Sequence, residues 1–163
     1  MGVIALSTQH ASHEHIAKLS SELLQALQEI KTPQVLSKGA TLFQQGSTAK
    51  DVYLVESGEV CILFSTAQGQ RQLLEVVGAG SMLGLCEIMG GTNHRATAVA
   101  SNGSGVSSIP REKLLSLLQG NAAFCTEIVR LLSEDLHGLY RKFRNISAHP
   151  GRPRRRDVNA ELN

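Results

Sequence analysis

The feature that most constrains the fold of this chain is a series of short β-like runs between Thr32 and Ile109, separated by glycine-containing turns. The runs are Pro33–Leu36, Thr41–Gln44, Asp51–Glu56, Glu59–Ser65, Arg71–Val77, Ser81–Leu83, Thr97–Ala100 and Gly105–Ile109. Gly58 separates two of them and suits a tight reversal that needs a positive φ. Regular short strands with such turns predict an antiparallel roll, sandwich or barrel.

Helical patterns flank the β region on both sides. The apolar positions of the preceding helix recur at helical spacing and are Leu19, Leu23, Leu24, Leu27 and Ile30. Ser20 or Ser21 is its predicted cap. A short helix over residues 111–118 and a longer one from Asn121 to about Ile146 follow the β region. These patterns predict a mainly β fold with flanking helices and leave a roll, a sandwich and a barrel open.

Four regions are expected from these patterns. They are a flexible N-terminal segment over 1–18, the β-roll with its flanking helices over 19–120, the long helix over 121–146 and a disordered basic tail over 147–163. The tail contains two prolines and no amphipathic period. Its arginines either touch phosphates without sequence preference or are simply solvated; they are Arg152, Arg154, Arg155 and Arg156.

The second half of the long helix carries an apolar seam. Its members step by four, three, four and three residues, as in a coiled coil, and are Leu132, Leu136, Leu139, Phe143 and Ile146. This face either packs on the roll of the same chain or meets a partner helix. Because the roll should cover the earlier turns, around Phe124, Ile128 and Leu131, the continuing seam favours a homodimer.

The cysteines and histidines indicate neither a disulfide framework nor a metal site. Cys61, Cys86 and Cys125 are odd in number, widely spaced and set among apolar residues. This pattern predicts three packed core thiols in a reducing, cytoplasmic setting. A frayed, solvated turn is a commoner explanation than a metal site for the N-terminal histidines, which are His10, His13 and His15.

The pattern fits neither an enzyme nor a membrane protein. No apolar run approaches the ~20 residues of a membrane span, and no Ser-His-Asp or Cys-His arrangement supports nucleophilic catalysis. A metal-dependent β-roll of the cupin type would need clustered His and Glu on its strands. The β region contains one histidine, His94, in a loop. We therefore expect a binding or interaction module that is not an enzyme and requires no cofactor.

The order of elements and four segments resemble the cyclic-nucleotide-binding domain of Crp/Fnr-type bacterial regulators. The segments are GATLFQQG at 39–46, DVYLVESGEV at 51–60, GSMLG at 80–84 and RATAVA at 95–100. The first two are similar to a strand pair and a hairpin of that domain. The last two are similar to the entry and exit of its phosphate-binding cassette. The resemblance covers about residues 19–146. It implies the fold class, mainly β with flanking helices: a double-stranded β-helix (a jelly-roll-like β-roll) followed by a long dimerisation helix.

The resemblance implies an anion site in the cassette. A cyclic phosphate is held well by backbone N–H groups at a helix start and by one arginine. Gly84 opens such a segment over Leu85–Met89 and lets the backbone approach the anion closely. In the family, an arginine at the place of Arg95 pairs with the phosphate oxygens, and the next residues, here Ala96 and Thr97, donate an amide or hydroxyl. A solvated surface arginine is the alternative for Arg95.

The cassette departs from the family pattern at Leu85. The family has a glutamate there, which accepts a hydrogen bond from the ribose 2′-hydroxyl. Glu87, two residues later, points in another direction on a helical turn and cannot replace it. Leu85 and Cys86 also make the pocket more apolar. A ligand hydroxyl without its acceptor costs about 1–3 kcal/mol, so a roll that binds no nucleotide is a competing interpretation.

Two functions are therefore open. In the first, the chain senses a cyclic nucleotide (cAMP or cGMP) or a related anion and signals through its dimer helix. By length, the base would fall near Leu139 and Tyr140, where Tyr140 either contacts it or lies at the seam. In the second, a degenerate roll serves as a dimerisation or interaction module. Family regulators continue into a winged helix-turn-helix that the 17 residues after Ile146 cannot build, so we expect no specific DNA binding by this chain alone.

Overall fold

The computed structural model describes residues 15–148. The helices are α1 (Ser21–Ile30), α2 (Leu85–Gly90), α3 (Arg111–Gln119) and α4 (Ala122–Ala148), and a 3-10 turn spans Ile16–Lys18. The strands are β1 (Thr32–Leu36), β2 (Thr41–Phe43), β3 (Asp51–Ser57), β4 (Val60–Ser65), β5 (Arg71–Val77), β6 (Met82–Leu83), β7 (Thr97–Ala100) and β8 (Ser104–Pro110). His10, His13 and the arginines of the predicted tail lie outside the described residues.

The strands form two antiparallel sheets of four, in the orders β1-β8-β3-β6 and β2-β7-β4-β5. Each sheet pairs strands from the beginning of the β region with strands from its end, which is the arrangement of a jelly roll. The predicted β-roll is confirmed, and each predicted strand lies within one residue of its observed ends.

The interior of the roll is an apolar cluster contributed by both sheets. Its buried members are Val55, Val60, Ile62, Val77, Leu83 and Ala98. Successive side chains of a β-strand point to opposite faces of the sheet, which explains which residues are buried. On β4, Val60 and Ile62 are buried, whereas Cys61 between them is half-buried. Removal of this apolar surface from water contributes about 25 cal/mol per Å².

Helices cover the opposite face of the first sheet. On β3, Tyr53 and Val55 pack in the interior cluster, so Val52 and Leu54 point to the other face and are buried there. The helix α1 contacts α3 and β8, and α3 contacts β8. Strands buried on both faces carry nearly continuous apolar runs, as β3 does.

Side chains cap α1 and α4 as the sequence suggests. The N–H of Leu23 donates to the Oγ of Ser20 at 3.2 Å, so Ser20 rather than Ser21 is the cap of α1. The N–H and Oγ of Ser20 both donate to the Glu127 carboxylate at 2.7 Å, which ties α1 to the start of α4. The Oδ1 of Asn121 accepts from the N–H of Ala123 at 3.0 Å.

His15 corrects the expected boundary of the N-terminal segment. Its imidazole is buried, and its Nδ1 accepts a hydrogen bond from the N–H of Met82 at 2.9 Å. The next N–H, of Ile16, donates to the carbonyl of Gly80 at 3.1 Å. His15 is therefore not part of a frayed, solvated turn, and residues 15–18 belong to the packed body. Residues 1–14 lie outside the described part of the chain.

The contacts divide the chain into two units, and the division falls within α4. The first unit runs to Leu131 and contains the roll; its last helical turns include Ile128 and Leu131, both buried as expected. The second unit begins at Leu132, and its described part is the remainder of α4. Its apolar side chains are largely exposed, at 48% for Leu136 and 60% for Phe143.

A partly buried ion pair joins the end of α1 to the first sheet. The Nζ of Lys31 lies 2.5 Å from the Oε1 of Glu56, and the Oγ of Ser107 donates to the same oxygen at 2.7 Å. Burial alone would raise the pKa of Glu56. The hydrogen bonds from Lys31 and Ser107 and the Lys31 charge outweigh burial, so the pKa lies below its ordinary value of 4.5.

Glu56→Gln should lower the free energy of unfolding by about 1 kcal/mol near neutral pH, the scale of a partly exposed pair. A carboxyl whose pKa is lower in the folded than in the unfolded state stabilises above the unfolded-state pKa. This contribution disappears as the pH falls through the folded-state pKa. In urea denaturation, the difference between wild type and variant should shrink from about pH 5 to about pH 3. Glu29→Gln, on the exposed side of α1, is the control. A difference independent of pH would contradict the assignment.

Candidate functional site

The predicted cassette begins at a turn whose backbone conformation favours glycine. Gly84 follows β6 and has a left-handed φ of +79°. A Cβ at this position would lie 3.3 Å from both the carbonyl oxygen of Asp51 and the Cε1 of His94. The backbone conformation disfavours any larger side chain, and the close neighbours would have to move by a few tenths of an ångström to admit one. The prediction that Gly84 opens a helical turn is confirmed.

The helix α2 presents its first N–H groups without intrahelical acceptors, as any helix start does. The N–H of Ile88 donates to the carbonyl of Gly84 at 3.0 Å, which closes the first turn. Leu85 and Ile88 are buried and anchor the turn, whereas Cys86 is exposed and Glu87 is half-buried. Because α2 has only six residues, its macrodipole is small. An anion at its start would be bound by the individual N–H groups.

The exit of the cassette is pinned to the loop before β3. The N–H of His94 donates to the carbonyl of Ser47 at 2.9 Å, and the N–H of Gly46 donates to the carbonyl of His94 at 2.7 Å. The side chain of His94 also lies against Gly84, and Arg95 is the next residue in the chain. The predicted glycine and arginine are thus connected through His94.

Arg95 is exposed. Within residues 15–148, the Arg95 guanidinium makes no ion pair. A cation that is not neutralised by the protein is available to an anion from solution. The roles of Arg95 and of its neighbours in binding stay predictions.

Ala96 and Thr97 lie deeper than Arg95. Ala96 packs against the apolar interior of the roll. Thr97 is buried, and its Oγ1 accepts a hydrogen bond from the N–H of Gln45 at 3.0 Å. The hydroxyl of Thr97 retains its own hydrogen for donation. Its position at the start of β7 is consistent with the predicted donor role.

Three aromatic rings near the cassette were not singled out as site residues from the sequence. The imidazole of His94 stacks on Phe43 with centroids 3.9 Å apart and planes 11° apart, and Phe43 stacks on Tyr53 at 5.7 Å. Burial, with a smaller contribution from the Asp51 charge, raises the pKa of Tyr53. Phe43 and Tyr53 border the apolar interior cluster, so this side of the cassette is apolar and aromatic.

The cysteines differ from the expectation of three core thiols. Cys61 and Cys125 are half-buried, but Cys86 is exposed. Leu85 and Ile88 occupy the inward side of the short helix, and the intervening position of Cys86 points away from it. Burial raises the pKa of Cys61, and the Glu59 charge adds to this while a hydrogen bond with Ser101 opposes it.

Tyr140 and the predicted seam belong to the second unit. Tyr140 is 60% exposed and Leu139 is 49% exposed, whereas Leu132 is half-buried. Ile146 lies in the last turns of α4, and its side chain is outside the described part. The predicted contact of Tyr140 with a base therefore stays a prediction. No helix within residues 15–148 is both long and apolar enough to span a membrane.

Comparisons with known proteins agree with this architecture. The family model for the cyclic nucleotide-binding domain matches residues 33–121. The fumarate and nitrate reduction regulatory protein of Vibrio cholerae is 32% identical over 118 residues, which is 72% of this chain and 47% of that protein.

Solved structures place the same fold in transcriptional regulators. The sensor domain of the regulator DNR from Pseudomonas aeruginosa is 31% identical, with a TM-score of 0.65, covering 78% of this chain and 86% of that one. The catabolite activator protein of Thermus thermophilus has a TM-score of 0.71 over 82% of this chain and 63% of its own. At 22% identity it shows the fold alone.

The β-roll with its cassette defines the class of this protein, a regulatory sensor domain. The chain belongs to the cyclic nucleotide-binding domain family and is of the Crp/Fnr type. It spans about half the length of the curated relatives that it matches, 47% in the case of the Vibrio cholerae protein.

Proposed function

We propose that this domain senses a small anion, with a cyclic nucleotide as the first candidate, and signals as a cytoplasmic homodimer through α4. The observation that carries the proposal is the position of Arg95. Its exposed guanidinium makes no ion pair within residues 15–148, and it follows a histidine that lies against Gly84. We further infer that the chain regulates rather than catalyses.

The donors at the proposed site suit a small anion. Backbone N–H groups after Gly84 supply donors from one side, and the guanidinium of Arg95 supplies a charged donor from the other. Charge-assisted hydrogen bonds of this kind are about twice as strong as neutral ones. Glu87 is the nearest acidic residue in sequence, and it lies on the same turn half-buried.

The apolar side chain of Leu85 limits which anions can bind with high affinity. Its side chain is 5% exposed and contains no acceptor for a ribose hydroxyl. A cyclic nucleotide would keep its phosphate contacts but leave that hydroxyl without the partner it has elsewhere in the family. We therefore expect cAMP and cGMP to bind weakly, and related anions without this requirement to be equally good candidates.

Arg95→Ala should weaken binding of an anion by about 1.5–3 kcal/mol, the scale of a hydrogen bond to a charged group. This is roughly a tenfold to hundredfold loss of affinity. Calorimetric titration with cAMP, cGMP and sulfate measures it. Arg71→Ala, which removes an exposed arginine at the start of β5, is the matched control and should leave affinity unchanged. If Arg95→Ala binds every anion as tightly as wild type, the cassette is not the site.

A second arm of the same titration uses Leu85→Glu. Restoring the acid should improve binding of cAMP or cGMP, because it supplies an acceptor for the 2′-hydroxyl, and should not improve binding of sulfate. Because Leu85 is buried, the new carboxylate also costs stability in the free protein. A thermal denaturation curve without ligand separates that cost from the gain in binding.

The same buried Leu85 favours one alternative function, a degenerate roll that serves as a dimerisation or protein-interaction module. A wild-type protein that binds none of these anions, together with a Leu85→Glu variant that gains none, would support the alternative. The fold is common to both functions, so the titration and not the architecture decides between them.

A further inference from the structure

His94 is a buried histidine whose ring nitrogen Nδ1 has no hydrogen-bond partner among the described residues. The residue is 3% exposed, and its ring is held between Phe43, 3.9 Å away, and the turn at Gly84. Its Cε1 and Nδ1 lie 3.3 Å and 3.9 Å from the position of a Cβ on Gly84. This nitrogen can therefore take up a proton without the loss of an existing hydrogen bond.

We propose that His94, beside the proposed anion site, takes up a proton when an anion binds between Gly84 and Arg95. The inference rests on the proposed function and deepens it, because it makes the affinity for the anion depend on pH. His94 needs no direct contact with the ligand. Its ring lies against Gly84, and charges near a buried group are screened less than in bulk water.

The free protein keeps the imidazole neutral. Burial lowers the pKa of His94 below its ordinary value of 6.5, and the Glu87 carboxylate opposes this only in part. A bound anion adds a second negative charge on the same side, which favours the imidazolium. The pKa of His94 therefore rises on binding, and between the pKa values of the free and bound states the complex holds more protons.

The charged groups near the His94 ring are compatible with a rise of its pKa on anion binding. Glu87 on α2 acts on the imidazole, and Arg95 follows it in the chain. Other titratable groups on the surrounding segments include Asp51 and Tyr53 on β3, Lys50 before it, Cys86 on α2 and Arg111, whose Nη2 lies 3.8 Å from the Cβ position on Gly91. Among the charged groups, Glu87 acts on His94 in the free protein, and a bound anion would add to its effect.

The sign of the pH dependence follows from linkage. Because the bound state binds more protons, affinity for the anion should increase as the pH falls through this interval, by at most tenfold per pH unit for one proton. The charges of sulfate and of the cAMP phosphodiester do not change in this pH interval. Any protons taken up on binding are therefore bound by the protein.

Calorimetric titration of the full chain with sulfate and with cAMP, in two buffers of different ionisation enthalpy, counts these protons. Wild type should take up a fraction of one proton per anion near pH 6. His94→Gln should still bind but take up none, and its affinity should be flat with pH. His137→Gln, which removes an exposed histidine of α4, should behave as wild type.

Proton uptake of zero in a wild type that binds, or equal uptake in His94→Gln, would overturn the role of His94 and leave the anion site standing. A wild type that binds neither probe removes the proposed function and this inference with it. If His94→Gln does not fold, an NMR titration of wild type with and without sulfate answers the same question. An unchanged His94 pKa in a saturated complex would refute the proposal.

Discussion

Replacing Gly58 with alanine should lower the free energy of unfolding by about 3 kcal/mol. Gly58 turns the chain from β3 to β4 with a φ of +76°, a conformation that costs an L-residue about 1–2 kcal/mol. The new Cβ would also lie 2.6 Å from the carbonyl oxygen of Gly103 and 2.9 Å from the Cα of Ser104. Overpacking against such neighbours adds about 1–3 kcal/mol.

The neighbours of Gly58 cannot move away without further loss. The Oγ of Ser104 donates to the carbonyl of Glu59 at 3.0 Å, and the N–H of Glu59 donates to the Oδ1 of Asn102 at 3.1 Å. The loop that an added methyl would displace is therefore the loop that holds the start of β4. Strain at this turn should spread into the pairing of β4 with β7.

The variant Gly69→Ala separates the cost of the backbone conformation from the cost of the steric contacts. Gly69 has nearly the same φ, +78°, but a Cβ there would meet nothing within 4 Å. This variant should lose only the backbone contribution of about 1–2 kcal/mol. Urea denaturation of both variants measures the difference. Equal losses would mean that the contacts with Gly103 and Ser104 contribute nothing and that conformation alone matters at Gly58.

The strands could be predicted closely because their signals are local. Glycine turns and changes of hydrophobic period mark where each run ends, and the predicted positive φ at Gly58 is observed. The pairing of strands has no such local signal, since β1 pairs with β8 and β2 with β7 across most of the chain. The sequence patterns left a roll, a sandwich and a barrel open, and the family resemblance indicated the roll. The register shift between Val55 and Ser57 could not be read from spacing at all.

The candidate site was predictable where a residue carries its own signal. Gly84 and Arg95 stood out because a glycine opening a helical turn and a downstream arginine match the family pattern. His94 was noticed only as a lone loop histidine. Its importance depends on Phe43 and Gly84, which reach it from distant segments. Three apolar-flanked cysteines likewise look alike in the sequence, and only the turn of α2 shows that Cys86 is exposed.

Leu139→Glu should convert a dimer into a monomer at tens of micromolar protein. Leu136, Leu139 and Phe143 are 48%, 49% and 60% exposed on the second unit, and they continue the heptad spacing of Leu132. Burial of each such side chain against a partner helix contributes about 1.5–3 kcal/mol. A glutamate at the centre of the seam removes one of these contributions and places two like charges together near a symmetry axis, where desolvation is also unfavourable.

Arg141→Glu is the matched control, because it introduces the same side chain two residues away on the opposite face of the helix. In the heptad defined by the seam, Leu139 occupies a core position and Arg141 the outermost one. Arg141 is exposed, so its replacement should leave the dimer intact while changing the charge more than Leu139→Glu does. Sedimentation equilibrium of wild type, Leu139→Glu and Arg141→Glu distinguishes disruption of the seam from an effect of added negative charge alone. A monomeric wild type at this concentration, or dissociation by both variants alike, would show that the seam does not form the interface.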